Sequence, residues 1–291
     1  MTDENAMPGL LMIGLGDLGK RIARLCVAHD WPVTVMRRQA IDEPGMRVVT
    51  HDATKDWSAA LPEDMAPPAD VVFCLAPSER DEAGYEAAYL KPAEAGLAWL
   101  QANAPKAHVW LISSTSVYGQ KDGEWLTESS TAEPKRPTAR IIRAAERFWK
   151  DSPQPVTVLR PAGLYGPGRD LMLRQAREGY TITDNLPVFT NRIHVDDAAA
   201  AVAHLIRQRR KMGRSFDVVN LADREPVAQQ ILVPELQAMM GVEPTGEERL
   251  LDRGSKRVSS DRLMATGFQW QYPSWREGYA AMLEASSAPG G

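Results

Sequence analysis

The chain has 291 residues, 44% of them hydrophobic and 25% charged, the balance of a globular protein with room for one large domain or two lobes. Lys and Arg number 34 against 38 Asp and Glu, for a net charge of −4, which excludes the strongly basic surface that bulk nucleic-acid binding requires. No apolar run approaches the ~20 residues that span a bilayer, and the polar start Met1-Thr2-Asp3-Glu4-Asn5 is not a signal peptide, so the expected location is the cytoplasm without membrane partners.

The first half alternates short apolar runs with helical patterns. Leu10–Ile13 reads as a buried strand, Leu18–His29 as a helix with Leu18, Ile22, Leu25 and Cys26 on one face, and Pro32–Met36 as a second strand. Arg47–Val49 and Val71–Leu75 follow as strands, then a long helix from about Glu82 to Gln101. Val109–Ile112, a helix over Ile141–Trp149 and Val156–Leu159 complete the series. Strands buried on both faces and separated by helices predict an α/β fold, a Rossmann-type doubly wound parallel sheet. After Arg160-Pro161 the pattern changes. Gly and Pro cluster at 163–168, and helices are expected near Asp196–Arg209 and Val227–Met240. Residues 1–160 thus read as the Rossmann domain. Residues 161–291 read as mainly a smaller C-terminal α/β substrate lobe, with some segments returning to the sheet.

Gly14-Leu15-Gly16-Asp17-Leu18-Gly19 lies between the first strand and the first helix, the context in which GxGxxG binds a dinucleotide. Gly14 permits a tight turn, Gly16 lets backbone approach a pyrophosphate, and Gly19 lets helix pack on strand. Asp17 and Leu18 complete the helix N-terminus, whose N–H groups and dipole favour phosphate. NAD-preferring sites place an acid at the end of the second strand; here Met36-Arg37-Arg38 stands there. Two guanidiniums suit a 2′-phosphate, so NADP(H) is favoured, with NAD(H) the alternative. Asp52, past the third strand, either accepts from the adenine amino group or forms a turn. Cys26 and Cys74 are far apart in apolar stretches and read as reduced, buried thiols.

Several ordered motifs resemble the extended short-chain dehydrogenase/reductase superfamily, in its NAD-dependent epimerase/dehydratase group. They are Ser113-Ser114-Thr115-Ser116-Val117-Tyr118-Gly119, Arg160-Pro161 with Tyr165-Gly166-Pro167-Gly168, Ile193-His194-Val195-Asp196-Asp197, and Val219-Asn220-Leu221-Ala222-Asp223. The resemblance implies hydride transfer at a hydroxyl or keto group, often of a nucleotide sugar. It implies that Leu75, Ala76 and Ser113 line the cofactor and that Ser114 is the catalytic Ser/Thr. It also implies substrate contacts from Tyr165, Arg169 and Arg192, and a homodimer through two long helices. His194, Asp196 and Asp197 lack a third ligand at metal-binding spacing, so no metal is expected. The stripe Trp270, Tyr272, Trp275 and Tyr279 reads as a packing cluster that could also roof a cleft.

One departure matters. The family's Tyr-x-x-x-Lys pair belongs in the segment 134–146, which contains no Tyr. One register puts Thr138 and Ile142 in the two places, another Arg136 and Arg140. This pattern resembles the atypical branch of the superfamily. Tyr118 is then a replacement catalytic phenol or a packing aromatic, and Arg140 and Arg143 are anion partners or, with Arg147, a solvated face. Two functions follow: an NADP(H)-dependent oxidoreductase or epimerase-like enzyme acting on a small-molecule substrate, or a non-catalytic NADP(H)-binding regulator or redox sensor.

Overall fold

The computed structural model describes residues 8–58, 60–62, 64–251 and 254–287. The chain runs β1 (Leu10–Ile13), α1 (Asp17–Val27), β2 (Val33–Arg37), β3 (Met46–Thr50), β4 (Asp70–Phe73), α2 (Glu82–Tyr89), α3 (Lys91–Asn103) and β5 (His108–Ile112). It continues through β6 (Asp122–Leu126), α4 (Pro137–Asp151), β7 (Val156–Pro161), β8 (Gly163–Tyr165), α5 (Leu171–Ala176), β9 (Thr181–Ile182), β10 (Phe189–Thr190) and β11 (Arg192–His194). It ends with α6 (Val195–Met212), β12 (Val218–Leu221), β13 (Val227–Ala228), α7 (Gln229–Met240), β14 (Glu248–Arg249), β15 (Ser255–Val258), α8 (Asp261–Met264) and α9 (Trp275–Ser287).

Seven strands form one sheet in the order β12-β7-β5-β4-β1-β2-β3. The ladders from β3 to β7 are parallel, with Leu10 opposite both Val33 and Asp70. This is the predicted α/β Rossmann-type sheet. Strand order reverses between β1 and β4, so the chain leaves β1 at the switch point where open α/β sheets hold ligands. The fully buried β1, β4 and β5 are the near-continuous apolar runs that a two-faced sheet demands.

Contacts divide the chain into two compact units. One comprises residues 1–117, 132–160 and 202–219; the other comprises 118–131, 161–201 and 220–291. In the first, Phe73 packs against Trp57 and Trp149, with ring centroids 5.8 and 4.9 Å away. In the second, Tyr165, Trp275 and Tyr279 pack with Leu173, Leu232 and Leu236, and short strands pair as β11 with β8, β15 with β6, β14 with β9 and β10 with β13. Among the described residues, no helix is long and apolar enough to cross a membrane.

The long helix expected over Glu82–Gln101 is two helices. Pro92 sits at the start of α3, and without an N–H it cannot bond the Ala88 carbonyl, so the ladder restarts at Leu90. The strand expected over Val71–Leu75 ends at Phe73. The helix expected over Ile141–Trp149 runs from Pro137 to Asp151, because Pro137 occupies a favoured first-turn position. Of the aromatic stripe, Trp275 and Tyr279 are buried, while Trp270 and Tyr272 are half-buried.

Gly96 of α3 faces the aromatic core. A Cβ there would lie 2.7 Å from Trp57 and 2.8 Å from Phe73. Gly96→Val is therefore expected to lower stability by about 2 kcal/mol through overpacking. Urea unfolding followed by tryptophan fluorescence measures this, and an unchanged midpoint would contradict the packing described.

Candidate functional site

The loop after β1 is shaped by three glycines for three different reasons. Gly14 has φ +91°, and a Cβ there would lie 2.7 Å from the Cys74 carbonyl oxygen. At Gly19 a Cβ would meet the Gly14 carbonyl oxygen at 2.8 Å, so α1 lies directly on the turn. Gly16 differs: its backbone is extended, at φ −70° and ψ −175°, and no protein atom lies within 4 Å of a Cβ placed there. Protein packing explains Gly14 and Gly19. At Gly16 the open space suits close backbone approach by a ligand. The α1 ladder begins with the Lys20 N–H bonding the Gly16 carbonyl, so the amides of Asp17, Leu18 and Gly19 precede it. The Leu18 side chain is buried in the core, and Asp17 pairs with Arg21 at 2.9 Å.

A cavity of about 440 Å³ opens beside this loop at the C-terminal edge of the sheet, lined by Gly14, Gly16, Arg37, Arg38, Asp52, Leu75 and Ala76 among others. Leu18, Gly19, Ser113 and Ser114 lie outside its lining. No hydrogen bond or ion pair engages the Arg37 or Arg38 side chain among the described residues, and Arg38 is exposed. Asp52 is the turn former: its Oδ1 accepts from the Thr54 N–H at 3.0 Å and the Thr54 hydroxyl at 2.9 Å. The Thr54 N–H bond, the Thr54 hydroxyl and the nearby cations Lys55 and Arg38 hold its carboxyl below the usual range against partial burial. With Lys91 also in the wall, the cations outnumber the single carboxylate. These residues fit an anionic, phosphate-bearing cofactor.

His51 also lines the cavity, with its Nε2 buried and without a hydrogen-bond partner. Neither its residue type nor its position past β3 marks His51 in the sequence, unlike its neighbour Asp52.

Ser113 and Ser114 follow β5. The Ser113 hydroxyl donates to Glu146 Oε1 at 2.5 Å. Glu146, fully buried on α4, also accepts from Arg160 Nε at 2.8 Å, Arg160 Nη2 at 2.6 Å and Arg143 Nη1 at 2.9 Å. Burial alone would raise the Glu146 pKa; Arg160 above all, then Ser113 and Arg143, hold it below the ordinary value. Arg143, read from sequence as an anion partner or part of a solvated face, turns onto Glu146, whereas Arg140 is exposed and donates to the Pro134 carbonyl. Ser114 is half-buried, and its Oγ accepts from the Ser116 N–H at 3.1 Å. On α4, Thr138 is half-buried and Ile142 buried; Arg136, which precedes the helix, is exposed.

In the second unit, Tyr118 is 1% exposed, and its hydroxyl lies 3.0 Å from the Thr127 carbonyl and 2.9 Å from Asn220 Oδ1. Tyr165 is buried with its ring 4.5 Å from that of Tyr279, and burial pushes its phenol pKa up. Arg192 is buried and donates to Thr190 Oγ1 and Met172 Sδ. Arg169 is half-buried, and its backbone N–H bonds the Gly166 carbonyl. Asp197 accepts the Gln271 and Tyr272 N–H groups at 2.7 and 2.9 Å, and His194 packs between the Tyr165 and Tyr272 rings.

The family model described as "NAD dependent epimerase/dehydratase family" matches residues 10–222. Protein YeeZ of Escherichia coli K12 is 26% identical over 279 residues, covering 92% of this chain and 97% of that protein. The 2′-dehydrokanamycin reductase of Streptomyces kanamyceticus is 25% identical, covering 82% of this chain and 68% of its own length. A Methylobacillus flagellatus structure, described as an NAD-dependent epimerase/dehydratase, superposes with a TM-score of 0.78 at 31% identity, covering 97% of this chain and all of that one.

The Glu146 carboxylate gives a pH prediction. Its folded pKa lies below the unfolded value, so its contribution is present above the ordinary glutamate value of ~4.3 and is lost as pH falls through the folded value. Glu146→Gln should cost about 3 kcal/mol at neutral pH and flatten the acid limb of stability. Urea midpoints taken across the acid range test this; equal slopes for the two proteins would show that Glu146 does not contribute to acid sensitivity.

Proposed function

Because this chain belongs to the NAD dependent epimerase/dehydratase family, we propose that it is an NADP(H)-dependent oxidoreductase or epimerase-like enzyme. Its substrate is a hydroxyl or keto group of a nucleotide sugar or small carbonyl compound. The observation that carries the cofactor preference is the pair Arg37 and Arg38 in the wall of the glycine-loop cavity, where with Lys91 they outnumber the single carboxylate of Asp52. Arg37 and Arg38 take the 2′-phosphate, and the amides of Gly16, Asp17, Leu18 and Gly19 face the pyrophosphate. Asp52, whose Oδ1 serves its own turn, offers Oδ2 to the adenine amino group. Leu75 and Ala76 contribute the apolar wall. When bound, the nicotinamide supplies hydride chemistry.

Ser114 hydrogen-bonds the substrate oxygen. Ser113 acts beneath it, through Glu146, as a positioning residue. Tyr118 has its hydroxyl engaged twice and stays a packing residue. Arg169 and Arg192 are the substrate-side anion partners, and Tyr165 supports them from the core of the second unit. The absence of Tyr and Lys at Thr138 and Ile142 favours a second reading, a non-catalytic NADP(H)-binding regulator.

Arg37→Asp should weaken NADPH binding about 100-fold and NADH binding far less; equal loss of both would remove the 2′-phosphate assignment. Gly16→Val should leave the unfolding midpoint unchanged while weakening both cofactors at least ~10-fold, and calorimetric titration reads either change. NADPH turnover across a panel of nucleotide sugars and small carbonyl compounds separates the two functions. Turnover that falls about 100-fold in Ser114→Ala supports the enzyme. Absence of turnover with confirmed cofactor binding supports the regulator.

A further inference from the structure

A second cavity, of about 460 Å³, lies at the opposite, N-terminal edge of the same sheet. Its wall is formed by Pro8, Ala69, His108, Arg209, Arg210 and Ser215, with Pro155 and Gly213. Among the described residues, no acidic residue lines it. Behind the wall, fully buried Asp70 accepts from Trp110 Nε1 at 2.8 Å, Arg209 Nη1 at 3.2 Å and Arg210 Nε at 2.7 Å. One carboxylate thus faces two guanidiniums and leaves one positive charge in excess.

Arg210 is held rigidly. Its guanidinium lies 4.1 Å from the Trp31 ring centroid, its side chain is 10% exposed, and its Nη1 is buried without an acceptor. A buried charged donor with no partner signals a missing acceptor.

His108 adds a different capacity. The Thr157 hydroxyl donates to the Phe216 carbonyl at 2.6 Å, so its oxygen receives the His108 Nε2 proton across 2.9 Å. That tautomer leaves Nδ1 a lone-pair acceptor. Burial, then Arg209, pushes the imidazole pKa down to about 3, so the ring is neutral. Guanidinium donors beside a neutral imidazole acceptor suit an oxyanion that still carries an O–H. Inorganic phosphate keeps an O–H at neutral pH; sulfate does not, and a phosphate monoester, with a second pKa of about 6, has largely lost its own.

We propose that this cavity is a second anion site, taking inorganic phosphate in a form that keeps an O–H. The volume exceeds that of the ion alone, so the two sources to distinguish are free phosphate and a phosphate monoester.

The test titrates the full-length protein with inorganic phosphate, glucose 1-phosphate or sulfate at constant ionic strength, following the His108 ring protons by NMR. Inorganic phosphate should shift them saturably with a Kd below ~1 mM, and sulfate should bind at least ~10-fold more weakly. Ser215→Asp, at an exposed position, should weaken phosphate at least ~10-fold without moving the thermal midpoint. Arg210→Lys, which keeps the charge and removes the fork, should also weaken it. Equal or weaker binding of glucose 1-phosphate supports the free ion as occupant; tighter binding of the ester, which largely lacks the O–H, would overturn the proposal. No saturable shift, equal affinity for sulfate, or an unchanged Kd in Ser215→Asp would each overturn the proposal.

Discussion

A single buried carboxylate, Glu146, ties together β5, α4 and β7 in the first unit. It is fully buried, and an isolated charge there would cost several kcal/mol. Arg160 reaches it with two bonds, Arg143 with one and the Ser113 hydroxyl with another. The three contributing elements are the end of β5, the helix α4 and the strand β7. Their mutual placement follows from one group that must be satisfied from all sides. The position of Ser114 follows in turn, because it is the next residue after a tethered one. The same network engages the Ser113 hydroxyl and fixes the face of α4 that carries Thr138 and Ile142.

The two edges of the central sheet treat cations differently. At the C-terminal edge Arg37 and Arg38 form no ion pair among the described residues and share the wall with the single carboxylate of Asp52, beside a turn whose middle glycine has open space around it. At the N-terminal edge Arg209 and Arg210 share one buried carboxylate, which anchors them and leaves less charge for a ligand. The first arrangement suits a large polyanion held by several groups. The second suits a small anion held beside an imidazole.

The Gly14 turn shows how far a local motif can be read. Strand, turn and helix are local in sequence, so spacing alone located them, and the packing of Gly14 on Cys74 and of Gly19 on Gly14 agrees with the roles read from it. The alternation of apolar runs likewise specified the parallel sheet, since strands covered on both faces have little choice of residue. Helix ends were less legible. Pro92 splits what periodicity reads as one helix, and Pro137 begins α4 four residues early.

Pattern and spacing by themselves determined the fold class, the glycine turn and the arginines at the end of β2, because each rests on residues adjacent in the chain; the missing Tyr and Lys were legible only through the family resemblance. The tertiary structure alone decided the rest. Ser113, Arg143, Glu146 and Arg160 span 47 positions of sequence and meet only when β5, α4 and β7 pack. Asp70 and Arg210 are 140 residues apart. The burial of Tyr118 and Tyr165, and the partners of the Tyr118 hydroxyl, are likewise set by tertiary packing. Side-chain burial and long-range hydrogen bonds depend on which elements become neighbours, and no local spacing encodes that.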